Sequence, residues 1–192
     1  MKLIVGLGNP GEEYESHRHN VGFLVIDELL RRCGATTTRK FQGEMARVRL
    51  NNVDAILLKP MTYMNNSGIS VGLCGSFYKV DPEDMVVVHD EMDLDYGMIR
   101  VKKSGGHAGH NGLRSIFQHY SKGDFPRVRV GIGRPQACAP TKHVLSPFNT
   151  DERIGLDTIL DTASNAVETA CSAGVDEAMN QFNQRQLNAN VS

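Results

Sequence analysis

Residues 1–11, MKLIVGLGNPG, decide how the rest of the chain is read. Leu3, Ile4 and Val5 make a short apolar run that breaks into glycines at Gly6, Gly8 and Gly11. A brief apolar run bounded by glycine reads as a buried strand that feeds a loop. It is too short for the core of a signal peptide and lacks a small-residue cleavage site. GLGNPG also fits G-x-G-x-x-G, the dinucleotide-binding pattern, but that site needs a helix opening at the glycines with its N-terminus towards a pyrophosphate. Here Glu12, Glu13 and Glu15 follow, Pro10 stiffens the turn, and apolar periodicity resumes only at Val21. The expectation is a tight turn in which three glycines supply permissive backbone angles and Asn9 is displayed at the strand's end.

Working outward, Asn20 is placed to cap a helix with Val21, Leu24, Val25 and Leu29 on its apolar face and Gly34 at its stop. Ala46, Val48 and Leu50 alternate with Arg47 and Arg49, a strand with one wet face; Asn51-Asn52 turns the chain, and residues 55–58 return as a buried strand. Ser67 opens a helix through Ile69, Leu73 and Phe77. Residues 85–88 form another buried strand, residues 98–102 and Val128, Val130 and Ile132 alternate as strands, and Leu113, Ile116, Phe117 and Tyr120 mark a helix between them. A long helical stripe follows from Leu156 to Ala170, then a short one from Val175 to Phe182. Strands interleaved with helices predict an α/β sandwich: a mixed, largely parallel sheet flanked by helices, one domain over residues 1–192, with a frayed tail after about residue 183.

The 192 residues are 40% apolar and 22% charged, ordinary globular usage. No apolar run approaches the length that crosses a bilayer, and Cys33, Cys74, Cys138 and Cys171 are scattered without a C-x-x-C. Reduced thiols and a cytoplasmic location are the expectation. The formal net charge is -1, which excludes a globally basic nucleic-acid binder. The distribution is uneven, however. Residues 100–142 carry nine basic side chains against Asp124 alone, a local +8, whereas residues 81–95 hold seven acids and no Lys or Arg. The asymmetry is compatible with a patch for a polyanion and equally with charges that balance in three dimensions.

Sites in open α/β sheets gather beyond strand ends, and the loops there are unusually polar. Residues 16–20, SHRHN, offer a general base of near-neutral pKa or an ordinary capping segment. In residues 59–68, KPMTYMNNSG, Asn65 follows Met61, Tyr63 and Met64, a mixture suited to an apolar groove with an orienting amide. Residues 88–95, VHDEMDLD, crowd four carboxylates at a strand end, suited to a metal, to holding a histidine, or to plain exposure. In residues 102–112, KKSGGHAGHNG, four glycines let backbone amides approach a ligand beside two lysines.

In this order and spacing, GLGNPG-x-x-Tyr14, Arg18-His19-Asn20, KPMTYMNNSG, HDEMDL, GGHAGHNGL and RVRVGIGRP resemble the bacterial-type peptidyl-tRNA hydrolase family over roughly residues 1–147. The C-terminal helical region fits it less specifically. The resemblance implies an α/β hydrolase, usually monomeric, without metal or other cofactor, that cleaves the ester between a peptide's terminal carbonyl and the terminal ribose of tRNA. It places the catalytic histidine on His19, its carboxylate partner on Asp90 and the positioning asparagines on Asn9, Asn65 and Asn111. Tyr14, Met64 and His110 would line the substrate groove, and Lys102 with Arg129 would clamp the tRNA 5′-phosphate. His17 and Lys103 depart from the family pattern; His17 is expected to be solvated and Lys103 to broaden the phosphate surface.

The chemistry this implies needs a positioned water, a base and a stabilised oxyanion, with no covalent step. No Ser or Cys sits in a nucleophile-elbow pattern. Two other readings stay open on sequence alone: a metal hydrolase built on His107, His110, Asp90 and Asp93, and a non-catalytic RNA-binding module on the same fold. Residues 137–148, with Pro140 and Pro147, are either a gate over the groove or a plain connection.

Overall fold

The structure, a computed structural model, describes residues 1–120, 124–135 and 137–183. In chain order it contains β1 (Lys2–Gly6), α1 (Val21–Cys33), β2 (Thr38–Lys40), β3 (Gly43–Leu50), β4 (Val53–Pro60), α2 (Ser67–Tyr78), β5 (Met85–Glu91), β6 (Ile99–Lys102), α3 (Asn111–His119), β7 (Arg127–Gly131), α4 (Pro140–Val144), α5 (Thr150–Ser172) and α6 (Val175–Phe182). The strands form one sheet in the order β2-β3-β4-β1-β5-β7-β6. Strands β4, β1, β5 and β7 run parallel, while β2, β3 and β6 complete the edges antiparallel. This is the mixed, largely parallel α/β sandwich that the sequence pattern predicts.

The first strand explains the layering. Its side chains alternate, so Leu3 and Val5 pack with Val71, Cys74, Leu113 and Ile116 of α2 and α3, whereas Ile4 packs with Val25, Leu29, Ala163 and Val167 of α1 and α5. Both faces are covered, which is why residues 2–6 read as a continuous apolar run. Each buried aliphatic side chain of this kind contributes roughly 1.5–3 kcal/mol of transfer free energy. Helix α1 ends on Gly34 at φ 59, as expected, and Asn51 and Asn52 turn at φ 44 and φ 68.

Several expectations require correction. Only Gly11 of the first three glycines takes a positive φ, 119. Gly6 and Gly8 are needed for clearance instead: a Cβ on Gly6 would lie 2.2 Å from the Gly22 carbonyl oxygen of α1, and one on Gly8 would lie 2.6 Å from the Phe23 ring. Asn20 sits at the N-cap of α1 but makes no side-chain capping bond. In α2 the large apolar residues are not the buried face. Leu73 and Phe77 are exposed, and Gly68, Ser70, Val71, Cys74 and Gly75 face inward. A Cβ on Gly68 would come within 2.0 Å of the Ser115 carbonyl oxygen, so small residues let α2 and α3 touch backbone to backbone. Strand β2 and helix α4 had no counterpart in the sequence reading. The tail expected to fray after residue 183 lies outside the described residues. Among the described residues, no helix is long and apolar enough to cross a membrane.

Candidate active site

The C-terminal ends of β1, β4, β5 and β7 open on one side of the sheet, where a cleft of about 820 Å³ lies. The loop after β1 is locked to the start of α1. Asn9 N–H donates to Asn20 Oδ1 at 2.9 Å, and Asn20 Nδ2 donates back to the Asn9 carbonyl at 2.9 Å. The Asn9 side chain accepts from the Met64 amide at 2.7 Å, which fastens the loop after β4 to the same point. Asn9 Nδ2 has no partner among the described residues and lines the cleft. The side chain of Asn20 is spent on this lock, which accounts for the missing helix cap.

Strand alternation at the end of β5 sorts two polar residues. His89 continues the Met85–Val87 face towards α3, and Asp90 continues the Val86–Val88 face towards α1. Both are buried. His19 Nδ1 lies 2.9 Å from both Asp90 carboxylate oxygens. His110 Nε2 lies 3.0 Å from Asp90 Oδ1. Burial alone would raise the Asp90 carboxyl, but the charges and hydrogen bonds of the two imidazoles outweigh it and hold the group well below the usual carboxylate range. An ionised Asp90 only accepts, so each imidazole directs an N–H at it. Burial likewise pulls His19 down, yet the charge and hydrogen bond of Asp90 prevail and its pKa is raised. In the neutral ring, an N–H at Nδ1 leaves His19 Nε2 as the unprotonated nitrogen, without a partner among the described residues, on a ring that lines the cleft.

Met64, Asn65, His110, Asn111, Lys102 and Arg129 also line this cleft. Asn65 and Asn111 are exposed, with no side-chain partner among the described residues, whereas Met64 is buried. Lys102 and Arg129 lie on the neighbouring strands β6 and β7, and Arg129 rests 3.5 Å from Glu91. Tyr14 is not among the cleft residues; its ring stands edge-on to His17 at 5.5 Å. His17 is half-buried rather than solvated, and burial lowers its pKa. Lys103 pairs with Asp176 of α6 at 3.1 Å instead of extending the Lys102 surface.

Four residues of the site region carried no functional reading in the sequence. Arg18 is buried, makes two bonds to Glu152 and reaches Ser146 Oγ at 2.6 Å, which ties the His19 turn to α5. Asn20 forms the lock described above. His89 Nδ1 donates to the Asp90 carbonyl at 2.8 Å, and burial pushes its pKa down to about 3. Arg127 holds the carbonyls of Gly105 and Gly106 and covers the Phe117 and Phe125 rings, and burial lowers its pKa to about 10. The only hint in the sequence was the two-residue period that puts Arg127 on the face of Arg129. Helix α4 lines the cleft through Pro140, Thr141 and Val144.

The four-residue metal set read from the sequence does not assemble. Among the described residues the only compact group of potential ligands is His19, Asp90 and His110, without His107 or Asp93. In that group His19 Nδ1 and His110 Nε2 hydrogen-bond to the carboxylate, and Asp93 pairs with Arg134 at 2.5 Å. The thiols of Cys74 and Cys171 are buried and pushed up to about 12 by burial, unlike a nucleophile's.

The sandwich and its cleft define an α/β enzyme of the hydrolase class, with an imidazole and a buried carboxylate at the sheet's C-terminal edge. The model of the peptidyl-tRNA hydrolase family matches residues 3–190. The chain is 50% identical over 189 residues to the peptidyl-tRNA hydrolase of Sorangium cellulosum, covering 96% of this chain and 85% of that one. It is 46% identical over 187 residues to that of Syntrophotalea carbinolica, covering 96% and 98%. The crystal structure of peptidyl-tRNA hydrolase from Acinetobacter baumannii superposes with a TM-score of 0.90 at 42% identity, covering 97% of this chain and 96% of that one. The chain belongs to the peptidyl-tRNA hydrolase family.

Proposed function

We propose that this protein hydrolyses the ester linking a peptide, or an N-blocked amino acid, to the terminal ribose of tRNA, and so returns tRNA from interrupted translation. The observation that carries the reading is His19, whose Nδ1 lies 2.9 Å from both Asp90 oxygens while its ring lines the cleft. Nε2 takes a proton from water as the water attacks the ester carbonyl. Asp90 holds the tautomer and steadies the imidazolium that forms. Asn9, through its unpartnered Nδ2, and the side chains of Asn65 and Asn111 position peptide, water and the developing oxyanion. The proton then passes to the leaving ribose oxygen, which restores neutral His19. No cofactor takes part.

Met64 and His110 border the peptide groove, and Lys102 with Arg129 holds the tRNA 5′-phosphate. The tRNA body is gripped mostly through phosphates across the basic residues 100–142. We read residues 1–192 as one domain acting as a monomer in the cytoplasm.

The test compares release from N-blocked aminoacyl-tRNA and from free aminoacyl-tRNA, each with excess chelator. The blocked ester is cleaved, the free one is spared, and chelator changes neither rate. Failure to cleave the blocked ester refutes the function, and loss of activity with chelator refutes the cofactor-free mechanism.

A further inference from the structure

We propose that His110 is a positioning residue: by donating to an Asp90 oxygen that His19 also reaches, it fixes the carboxylate and restrains its pull on the catalytic imidazole. The role rests on the function given above and assigns His110 more than a place along the groove. The geometry of three contacts supports it. His110 Nε2 is 3.0 Å from Asp90 Oδ1, the same oxygen that His19 Nδ1 reaches at 2.9 Å. The other His110 nitrogen, Nδ1, accepts the Gly112 and Leu113 amides at 3.2 and 3.4 Å as the N-cap of α3. Two backbone donors on Nδ1 leave the proton on Nε2, so His110 presents an N–H to Asp90. The ring is held between His19, centroids 5.1 Å apart, and His89, 4.9 Å apart.

Among the described residues, no other group facing this assembly substitutes for that donor. From β5, His89 directs its own N–H to the Asp90 carbonyl, and burial keeps its ring neutral. Arg127 of β7 acts on His89 but spends its hydrogen bonds on Gly105 and Gly106. On the His19 side, His17 packs on Tyr14, and His143 beyond α4's first turn faces the carbonyls of Ile132 and Gly133. Asp90 thus divides its charge between two imidazoles. With only one donor left, the whole carboxylate would bear on His19, which would then keep its proton to higher pH and serve less well as a base near neutrality.

His110→Asn separates the two duties of this side chain. Asparagine caps a helix well but is too short to span to Asp90, whereas His110→Ala loses both cap and donor. The His19 ring is titrated by NMR in the wild type and in both variants, with the signal assigned by its absence in His19→Ala, and the pH dependence of kcat is recorded beside it. In His110→Asn the His19 titration and the acid limb of kcat both move to higher pH. Below that limb the rate falls about tenfold per pH unit, so the loss is greater at acid than at alkaline pH. A limb and titration that stay in place, or a loss confined to KM, overturn the proposal. The titration reads the sharing of Asp90 whether or not peptide is released, so an inactive wild type would refute the function and leave this assignment separately tested.

Discussion

The entries of α1 and α3 deliver two histidines to one carboxylate, and the contrast between them shows what makes one a base. Both rings direct an N–H at Asp90, at 2.9 and 3.0 Å. His110 then gives its second nitrogen to the first amides of α3. His19 does not cap α1, because it lies in the 3₁₀ turn Arg18–Asn20 ahead of the helix, and its second nitrogen is left for the cleft. Contact with a buried carboxylate is common to both and is therefore not the deciding feature. The free nitrogen is. The packing differs as well: α1 enters against backbone and α3 against a flexible thioether.

The contrast breaks most directly by substitution at the two rings. His19→Ala should lower turnover at least about a hundredfold, in line with the 10²–10⁴-fold typical of general bases, with melting temperature nearly unchanged. Loss of only a few-fold would place the base elsewhere. The packing half of the comparison is sharpened by a glycine pair. A Cβ on Gly22 would lie 2.4 Å from the Leu7 amide nitrogen, whereas one on Gly112 would meet Met64 Sδ at 2.6 Å. Gly22→Ala should cost about 1–3 kcal/mol in denaturant unfolding, and Gly112→Ala less, because a thioether moves more readily than a main chain. Equal costs would contradict the backbone contact.

Lys102→Ala and Arg129→Ala lie beyond both helix entries and should spare the chemistry. Each should weaken tRNA binding and reduce the slope of log affinity against log salt by roughly 0.7–0.9, the share of one phosphate contact. A small N-blocked ester substrate should be hydrolysed nearly as before. An unchanged salt slope would remove that residue from the clamp. The smallest effect concerns His89. Its folded pKa, about 3, lies below the ordinary 6.5, so the unfolded chain binds the extra proton and stability falls as pH drops from about 6.5 towards 3. Asp90, also lowered, adds to acid sensitivity at the lower end, while His19, raised, contributes stability below 6.5 that is lost as pH rises through its folded value. His89→Leu should therefore flatten the decline in melting temperature between pH 6.5 and 4, although it lowers stability at neutral pH by removing the bond to the Asp90 carbonyl. A decline as steep as the wild type's would show that His89 is not buried neutral.

The sheet was legible because its strands are buried on two faces or one, and those states write different periods into residues 2–6, 46–50 and 85–88. Helix α2 was legible as a helix but not by its buried face, because hydrophobicity does not register that Gly68 and Gly75 gain their contacts by lacking side chains. His19 and Asp90 could be named from ordered motifs 71 positions apart. The lock between Asn9 and Asn20 could not, since a side chain that satisfies a neighbouring loop reads as a helix cap until the loop's position is known. Arg127 was hidden for the same reason: it bonds to the Gly105 and Gly106 carbonyls, which only the folded chain brings within reach, whereas His89 bonds to its neighbour Asp90 and is set apart only by its burial.

The central claim is tested most directly by the pH dependence of kcat on N-blocked aminoacyl-tRNA, measured for the wild type and Asp90→Asn side by side. Asp90 raises the His19 pKa above the ordinary 6.5, so the wild-type rate should climb through an acid limb above that value. In Asp90→Asn the limb should move to lower pH while the maximal rate falls steeply, as the tautomer is no longer enforced. A limb that stays where it was, or a maximal rate that survives the substitution, would contradict the pairing of His19 with Asp90.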